Sequence, residues 1–238
     1  NKWIKSTPAH NTVTVDESNC RATGPGKVNG LITRGRIRFV DITVPVEGLD
    51  LYRRAVTLIL KSDGLPLLID VFDVAGGKVH DYQVRVNDSD ERFKIPGKPL
   101  SKRSKSLYAG HSSYPLENFK TGGRSISPFF ATWGKNLKVN ANILTPCKEI
   151  ITYPTPAWRD YKEVFAAPDK TFDTLVLRNQ RKKSRFVVVY ELYKGSPLLQ
   201  KISTESTRPE VRIQIQERKG RSYYLAIGPG EIRSKIER

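Results

Sequence analysis

The chain has 238 residues, with 41 Lys and Arg against 24 Asp and Glu, a formal net charge of +17. Hydrophobic residues make up 38% and charged residues 27%, which excludes disorder through lack of apolar content. No apolar run approaches the ~20 residues of a membrane-spanning helix, so a membrane is not an expected partner. Cys20 and Cys147 cannot build a disulfide framework or a cysteine-based zinc site. Asn1 is followed by neither a basic n-region nor an apolar h-region. The excess positive charge favours a polyanion: nucleic acid, an anionic lipid surface, or an acidic or sulfated polysaccharide.

In chain order, the first segment runs Lys5-Ser6-Thr7-Pro8-Ala9-His10-Asn11 into an alternating strand over 12–15. Period-two or β-branched runs follow at 37–44, 52–60, 67–74 and 78–86. They recur at 137–143, 172–178, 186–193, 211–216 and 223–227. Turn clusters such as Thr23-Gly24-Pro25-Gly26, Asp63-Gly64 and Gly228-Pro229-Gly230 separate them. No segment longer than about two turns carries a 3.6-residue apolar stripe. The pattern predicts an all-β chain, an antiparallel β-sandwich of two packed sheets with little helix. Residues 87–127 are polar, with isolated Tyr108, Tyr114 and Phe119, and read as a long surface loop within one domain over 1–238.

Several residue sets carry possible chemistry. A lone histidine before a strand, as His10 is, ordinarily has a structural role. Asp50-Leu51-Tyr52-Arg53-Arg54 opens a strand whose alternation sends Arg53 and Arg54 to opposite faces, so only one can meet a carboxylate or sulfate. Gly76-Gly77 turns the chain into a return strand bearing His80-Asp81-Tyr82. There His80 and Asp81 satisfy local backbone groups of a hairpin. The clusters Lys102-Arg103-Ser104-Lys105 and Arg178, Arg181, Lys182, Lys183, Arg185 are either solvated hairpin tips or the rim of an anion-attracting groove. His111 has no visible counterpart.

In order, STPAHNTVTVD over 6–16, the Tyr52-Arg53-Arg54 strand and LLIDVFDVAGGKVHDY over 67–82 resemble heparinase II/III-like polysaccharide lyases, in their C-terminal β-sandwich region. Thr132-Trp133, LKVNANIL over 137–144 and FVVVYELYKGSPLLQKI over 186–202 continue the likeness. The resemblance implies a supersandwich-like fold, an N-terminal α/α toroid domain as partner, and a cleft where the two meet. It implies a uronate-containing anionic polysaccharide, glycosaminoglycan- or alginate-like, as substrate, and a periplasmic or secreted location. The reaction is a β-elimination: the C5 proton of a uronate leaves and the 4-O-linked sugar is expelled. It needs a group neutralising the carboxylate, a base and an acid. In that family these residues sit on the toroid and in an upstream H-x-H segment. No catalytic residue is therefore expected within 1–238, and the chain alone should be inactive.

His10 matches the histidine of the family's HNTV motif and resembles the third ligand of a zinc site completed upstream; alone it cannot hold the ion. Substrate-side contacts are expected from His80, Arg53 or Arg54, and from Arg181, Lys182 and Lys183. Three positions depart from the family pattern. Arg85 and Tyr190 stand where histidines are common, and Asp16-Glu17-Ser18 replaces an Asp-Gly turn. A non-catalytic carbohydrate-binding or structural sandwich is the second reading. Nucleic-acid binding ranks third, because neither a basic recognition helix nor an RNP-like aromatic pattern accompanies the charge.

Overall fold

Alternating and doubly apolar runs fold into strands almost throughout. The computed structural model describes residues 6–86, 92–102, 120–125, 128–156 and 171–237. Among them the one helical element is a 3-10 turn at Thr7–Ala9, in whose first turn Pro8 sits. The first strands are β1 (Val13–Val15), β2 (Lys27–Ile32), β3 (Ile37–Thr43), β4 (Leu51–Leu60), β5 (Pro66–Ala75) and β6 (Val79–Arg85). Next come β7 (Ser101–Lys102), β8 (Lys120–Thr121), β9 (Phe129–Trp133), β10 (Lys138–Ile143) and β11 (Glu149–Pro156). The last six are β12 (Thr171–Gln180), β13 (Lys183–Tyr193), β14 (Leu199–Ser206), β15 (Val211–Glu217), β16 (Ser222–Gly228) and β17 (Glu231–Glu237).

They form three antiparallel sheets: β1-β6-β12-β11-β8-β7, β2-β3-β4-β5-β13-β10-β9, and the meander β14-β15-β16-β17. The seven-stranded sheet lies in the middle. Phe186 and Val188 of β13 share one core with Tyr82, Leu175 and Leu177 of the six-stranded sheet. Val187 and Val189 share the other with Ile213, Ile215, Tyr223 and Leu225 of the meander. A strand buried on both faces needs apolar residues at successive positions, which is why 186–189 reads Phe-Val-Val-Val. The all-β antiparallel class therefore stands, while the expected two sheets are corrected to three layers. The central strands β5 and β13 are apolar on both sides, and each side requires its own covering sheet.

A charged clamp ties the meander to the central sheet. Arg53 donates from Nε and Nη2 to Asp41 (2.8–3.0 Å), from Nη1 to Asp73 (2.9 Å) and from Nη2 to the Gly228 carbonyl (2.6 Å). Arg185 grips the same Asp73 from β13 at 2.7 and 3.1 Å. The Gly230 N–H donates to Asp41, and the Gly230 carbonyl lies 2.1 Å from where a Cβ on Gly30 would stand. Only glycine lets these two backbones approach so closely.

Within 87–127 the described parts are not all loop. β7 and β8 join the six-stranded sheet, and bridges Lys94–Thr132 and Ser125–Cys147 tie the stretch to its neighbours. Arg103, Ser104, Lys105, Tyr108, His111, Tyr114 and Phe119 lie outside the described residues. No helix among the described residues is long and apolar enough to cross a membrane.

Candidate functional site

The segment before β1 is held in place by hydrogen bonds that aim His10 outward. Tyr52 donates its hydroxyl proton to the Val13 carbonyl (2.6 Å), and Thr12 Oγ1 lies 2.8 Å from the same hydroxyl. The Gln83 N–H donates to the Thr12 carbonyl at 2.8 Å, and the Arg85 N–H to Asn11 Oδ1 at 2.9 Å. Arg85 Nη1 reaches back to the Ala9 carbonyl at 2.6 Å. His10 is exposed and lines an open pocket of about 350 Å³ with Ala9, Asn11, Arg85, Val86 and Phe172. The Arg85 guanidinium stands 5.1 Å from the Phe172 ring centroid, a cation–π contact that fixes its plane.

Behind this pocket, in the space between the six- and seven-stranded sheets, lies a polar network. Arg54 forks onto Asp70 (Nε–Oδ1 3.0 Å, Nη2–Oδ2 2.7 Å) and donates from Nη1 to the Asn11 carbonyl at 2.9 Å. Tyr82 donates its hydroxyl proton to Asp70 Oδ2 at 2.6 Å. Its oxygen must therefore accept from Tyr190, 2.7 Å away. Burial, and after it the Asp70 charge, push both phenols above the ordinary tyrosine range, so both stay protonated. Arg54 uses three of its five N–H donors here, and its side chain is 34% exposed. With Asp70 balancing its charge, it offers a ligand directed N–H groups more than free charge.

The residues present do not by themselves fit zinc. No group of three or more His, Cys, Asp or Glu among the described residues could hold a metal ion. The pocket brings a guanidinium beside His10, whereas a zinc site needs three or four convergent donors.

Two other expected contacts are corrected in position. His80 is fully buried; its Nε2 lies 2.7 Å from the Gly76 carbonyl and its Nδ1 2.7 Å from Ser184 Oγ. The network assigns the proton to Nε2, donating to Gly76, with Nδ1 accepting from Ser184. Of its two readings the structure places His80 in local structure, because both ring nitrogens are satisfied inside. Arg53 is buried in the interlayer clamp, and Arg54, on the opposite face of β4, is the arginine near the pocket.

Of the second basic cluster, Arg178 is buried against Asp81 (2.8 Å) and Glu17 (2.6 Å), and Arg185 belongs to the clamp. The salt bridge from Glu17 explains the departure at 16–18: Asp16 and Glu17 both adopt positive φ (51° and 55°). Asp16 meanwhile accepts the N–H groups of Lys78 and Val79 at 2.8 Å. Arg181, Lys182 and Lys183 are exposed at the β12–β13 turn, next to Gly76. They lie at the Val79 end of β6, whereas His10 lies at the Arg85 end, six residues or about 20 Å away. The structure adds Asn11, Arg85, Phe172 and Tyr190 to the site. Arg85 and Tyr190 carried a signal as departures from the motif, and Asn11 as the residue after His10 within it; Phe172 carried none.

These features define a three-layer antiparallel β-sandwich with a polar, cation-bearing mouth at one end. In fold it is similar to a mutant of heparan sulfate lyase HepC from Pedobacter heparinus, with 12% identity and a TM-score of 0.57, over 99% of this chain and 31% of that one. HepC itself gives 12% identity and a TM-score of 0.55, over 96% of this chain and 32% of that one. Heparinase III, the BT4657 gene product, gives 14% and 0.51, over 99% and 31%. The likeness establishes a shared fold, and the chain spans about a third of these proteins' length. No family model matches the sequence, and no curated protein matches it.

Proposed function

We propose that this chain is the β-sandwich region of a longer polysaccharide lyase that cleaves a uronate-containing anionic polysaccharide, glycosaminoglycan- or alginate-like, by β-elimination. The observation that carries the reading is the fold likeness to heparan sulfate lyases over 99% of the chain. The polar mouth on the His10 segment adds to it. In this reading the sandwich forms one wall of the cleft, and an N-terminal α/α toroid supplies the base and the acid. A secreted or periplasmic location follows, where such polymers are met.

The wall's contribution is electrostatic. Removing the C5 proton leaves negative charge that spreads into the uronate carboxylate, so cations and N–H donors at that carboxylate stabilise the transition state. Arg85 supplies a cation and Arg54 its two remaining N–H groups. Asp70, Tyr82 and Tyr190 keep Arg54 in one orientation, and thus act as positioning residues. His10 would serve as one donor to a zinc ion only if further ligands came from the N-terminal partner domain.

The test is the full-length gene product carrying Arg85→Ala, assayed by ultraviolet absorbance of the unsaturated uronate. Loss of kcat/KM by about tenfold or more, as for removal of one charged contact, supports the reading. Unchanged kinetics would remove Arg85 and the mouth from the cleft.

A further inference from the structure

Three exposed cations at the β12–β13 turn, Arg181, Lys182 and Lys183, take no part in the mouth. A fourth, Arg208, comes to them from the β14–β15 turn and is also exposed. Arg208 and Ser184 line one pocket of about 320 Å³ with Asn29 and Thr43, and Arg181 Nε reaches Ser184 Oγ at 3.4 Å. The floor is the clamp of Arg53, Asp73 and Arg185, whose carboxylate is already gripped by both arginines. None of the four exposed cations is ion-paired among the described residues. Nearby, Asp16 is bound to backbone N–H groups, Glu17 to Arg178 and Glu210 to Arg212 and Arg233, while Asp50 is exposed. Burial and the closeness of Arg208 both weaken the hold of Arg181 on its proton, as two like charges sharing one place require.

We infer that this tip is a second anionic-polysaccharide site, about 20 Å from the mouth, gripping sulfate or carboxylate groups of the polymer between the turn and Arg208. The inference rests on the proposed function for the class of ligand. The pocket is small, and among its apolar walls Asn29, Thr43 and Ser184 supply amide and hydroxyl groups beside the Arg208 cation, which can hold a tetrahedral or planar oxyanion at its rim. No aromatic ring among the described residues lines it, so they offer a nucleic-acid base no stacking platform. A polymer held here and at the mouth gains from effective concentration, whereas a short oligosaccharide reaches only one of the two.

The test compares Arg181→Ser/Lys182→Ser/Lys183→Ser with an equal charge change elsewhere, Arg34→Ser/Arg36→Ser/Arg38→Ser, all exposed positions. Heparin is the probe, with single-stranded DNA of matched length in parallel. Three exposed ion pairs of ordinary strength amount to about a tenfold change in Kd. The tip variant should show at least that for heparin, the control variant less than about threefold, and Arg208→Ser alone should give a measurable part of the loss. Equal effects of the two triples would reduce the tip to net charge and overturn the inference. Tighter binding of DNA than of heparin, lost in the tip variant, would make it a nucleic-acid site. In the full-length protein the tip variant should leave cleavage of a short uronate oligosaccharide unchanged and raise KM for the polymer. Loss of short-substrate cleavage would make the tip part of the cleft and overturn the inference. Absence of any lyase activity, with the heparin preference intact, would instead refute the proposed function and leave the second site standing.

Discussion

Arg53→Met tests the assignment of Arg53 to the interlayer clamp. The substitution removes the cation that Asp41 contacts at 2.8–3.0 Å and one of the two that hold Asp73. Asp73 keeps Arg185, so its loss is partial. Among the described residues Asp41, fully buried, keeps only neutral donors, the Gly230 N–H and Asn29 Nδ2 at 3.2 Å. Breaking a buried pair from one side costs about 3–5 kcal/mol, and the two surviving donors place Asp41 at the low end. The Gly228 carbonyl loses its bond as well, about 1 kcal/mol. The expected loss is roughly 3–4 kcal/mol, a large share of an ordinary domain's stability. With a urea dependence of about 3 kcal/mol per molar, the midpoint should fall by about 1 M or more. Adding Asp41→Asn removes the orphaned charge and should restore about half of the loss. Arg54→Met on the neighbouring position should cost less, since its side chain is partly solvated and Asp70 keeps Tyr82. A fall below about 1 kcal/mol for Arg53→Met, or no recovery in the double variant, would refute the clamp.

Three further outcomes follow from single side chains. Burial raises the Asp173 carboxyl above its ordinary range despite the Phe93 N–H at 2.9 Å. The folded state therefore binds that proton more tightly than the unfolded chain, and stability is lost as pH rises through the folded-state value. Asp173→Asn keeps an acceptor for Phe93, so urea melts should show it equal to the parent near about pH 3 and more stable at neutral pH; a difference constant with pH would contradict this. Burial pushes the Cys147 thiol up to about 11, so iodoacetamide at neutral pH should label it only after unfolding, and rapid native labelling would refute its burial. Gly77 has φ +70°, and a Cβ there would lie 2.4 Å from Val15 Cγ1, so Gly77→Ala should cost about 2 kcal/mol or more in a thermal melt, with no cost if that turn were open.

The long central strands were legible because burial on both faces leaves an unbroken apolar record, as at 186–189. Edge strands left no such record. β2 and β17 expose most of their side chains, so Lys27–Ile32 and Glu231–Glu237 show neither period nor β-branched density. Alternation correctly parted Arg53 from Arg54 but could not say which was buried in a clamp, since that depends on a third sheet built from distant residues. His80 is of the same kind: its partner Ser184 lies 104 residues away, and no local pattern reports it. The mouth was legible at His10 and Asn11 through a motif, and at Arg85 as a departure from one. Arg85 and Phe172 join it because β6 and β12 pair in a register that brings their ends beside the 9–11 backbone.

The most direct test of the central claim is the absorbance of unsaturated uronate released by the full-length gene product from a panel of polysaccharides. The panel should span heparan sulfate, heparin, chondroitin sulfate, hyaluronate and alginate, with a neutral glucan as control. A rise for at least one uronate polymer, absent for the glucan and absent for the 238-residue chain alone, is the predicted result. No unsaturated product from any uronate polymer, with the protein folded, would contradict the assignment.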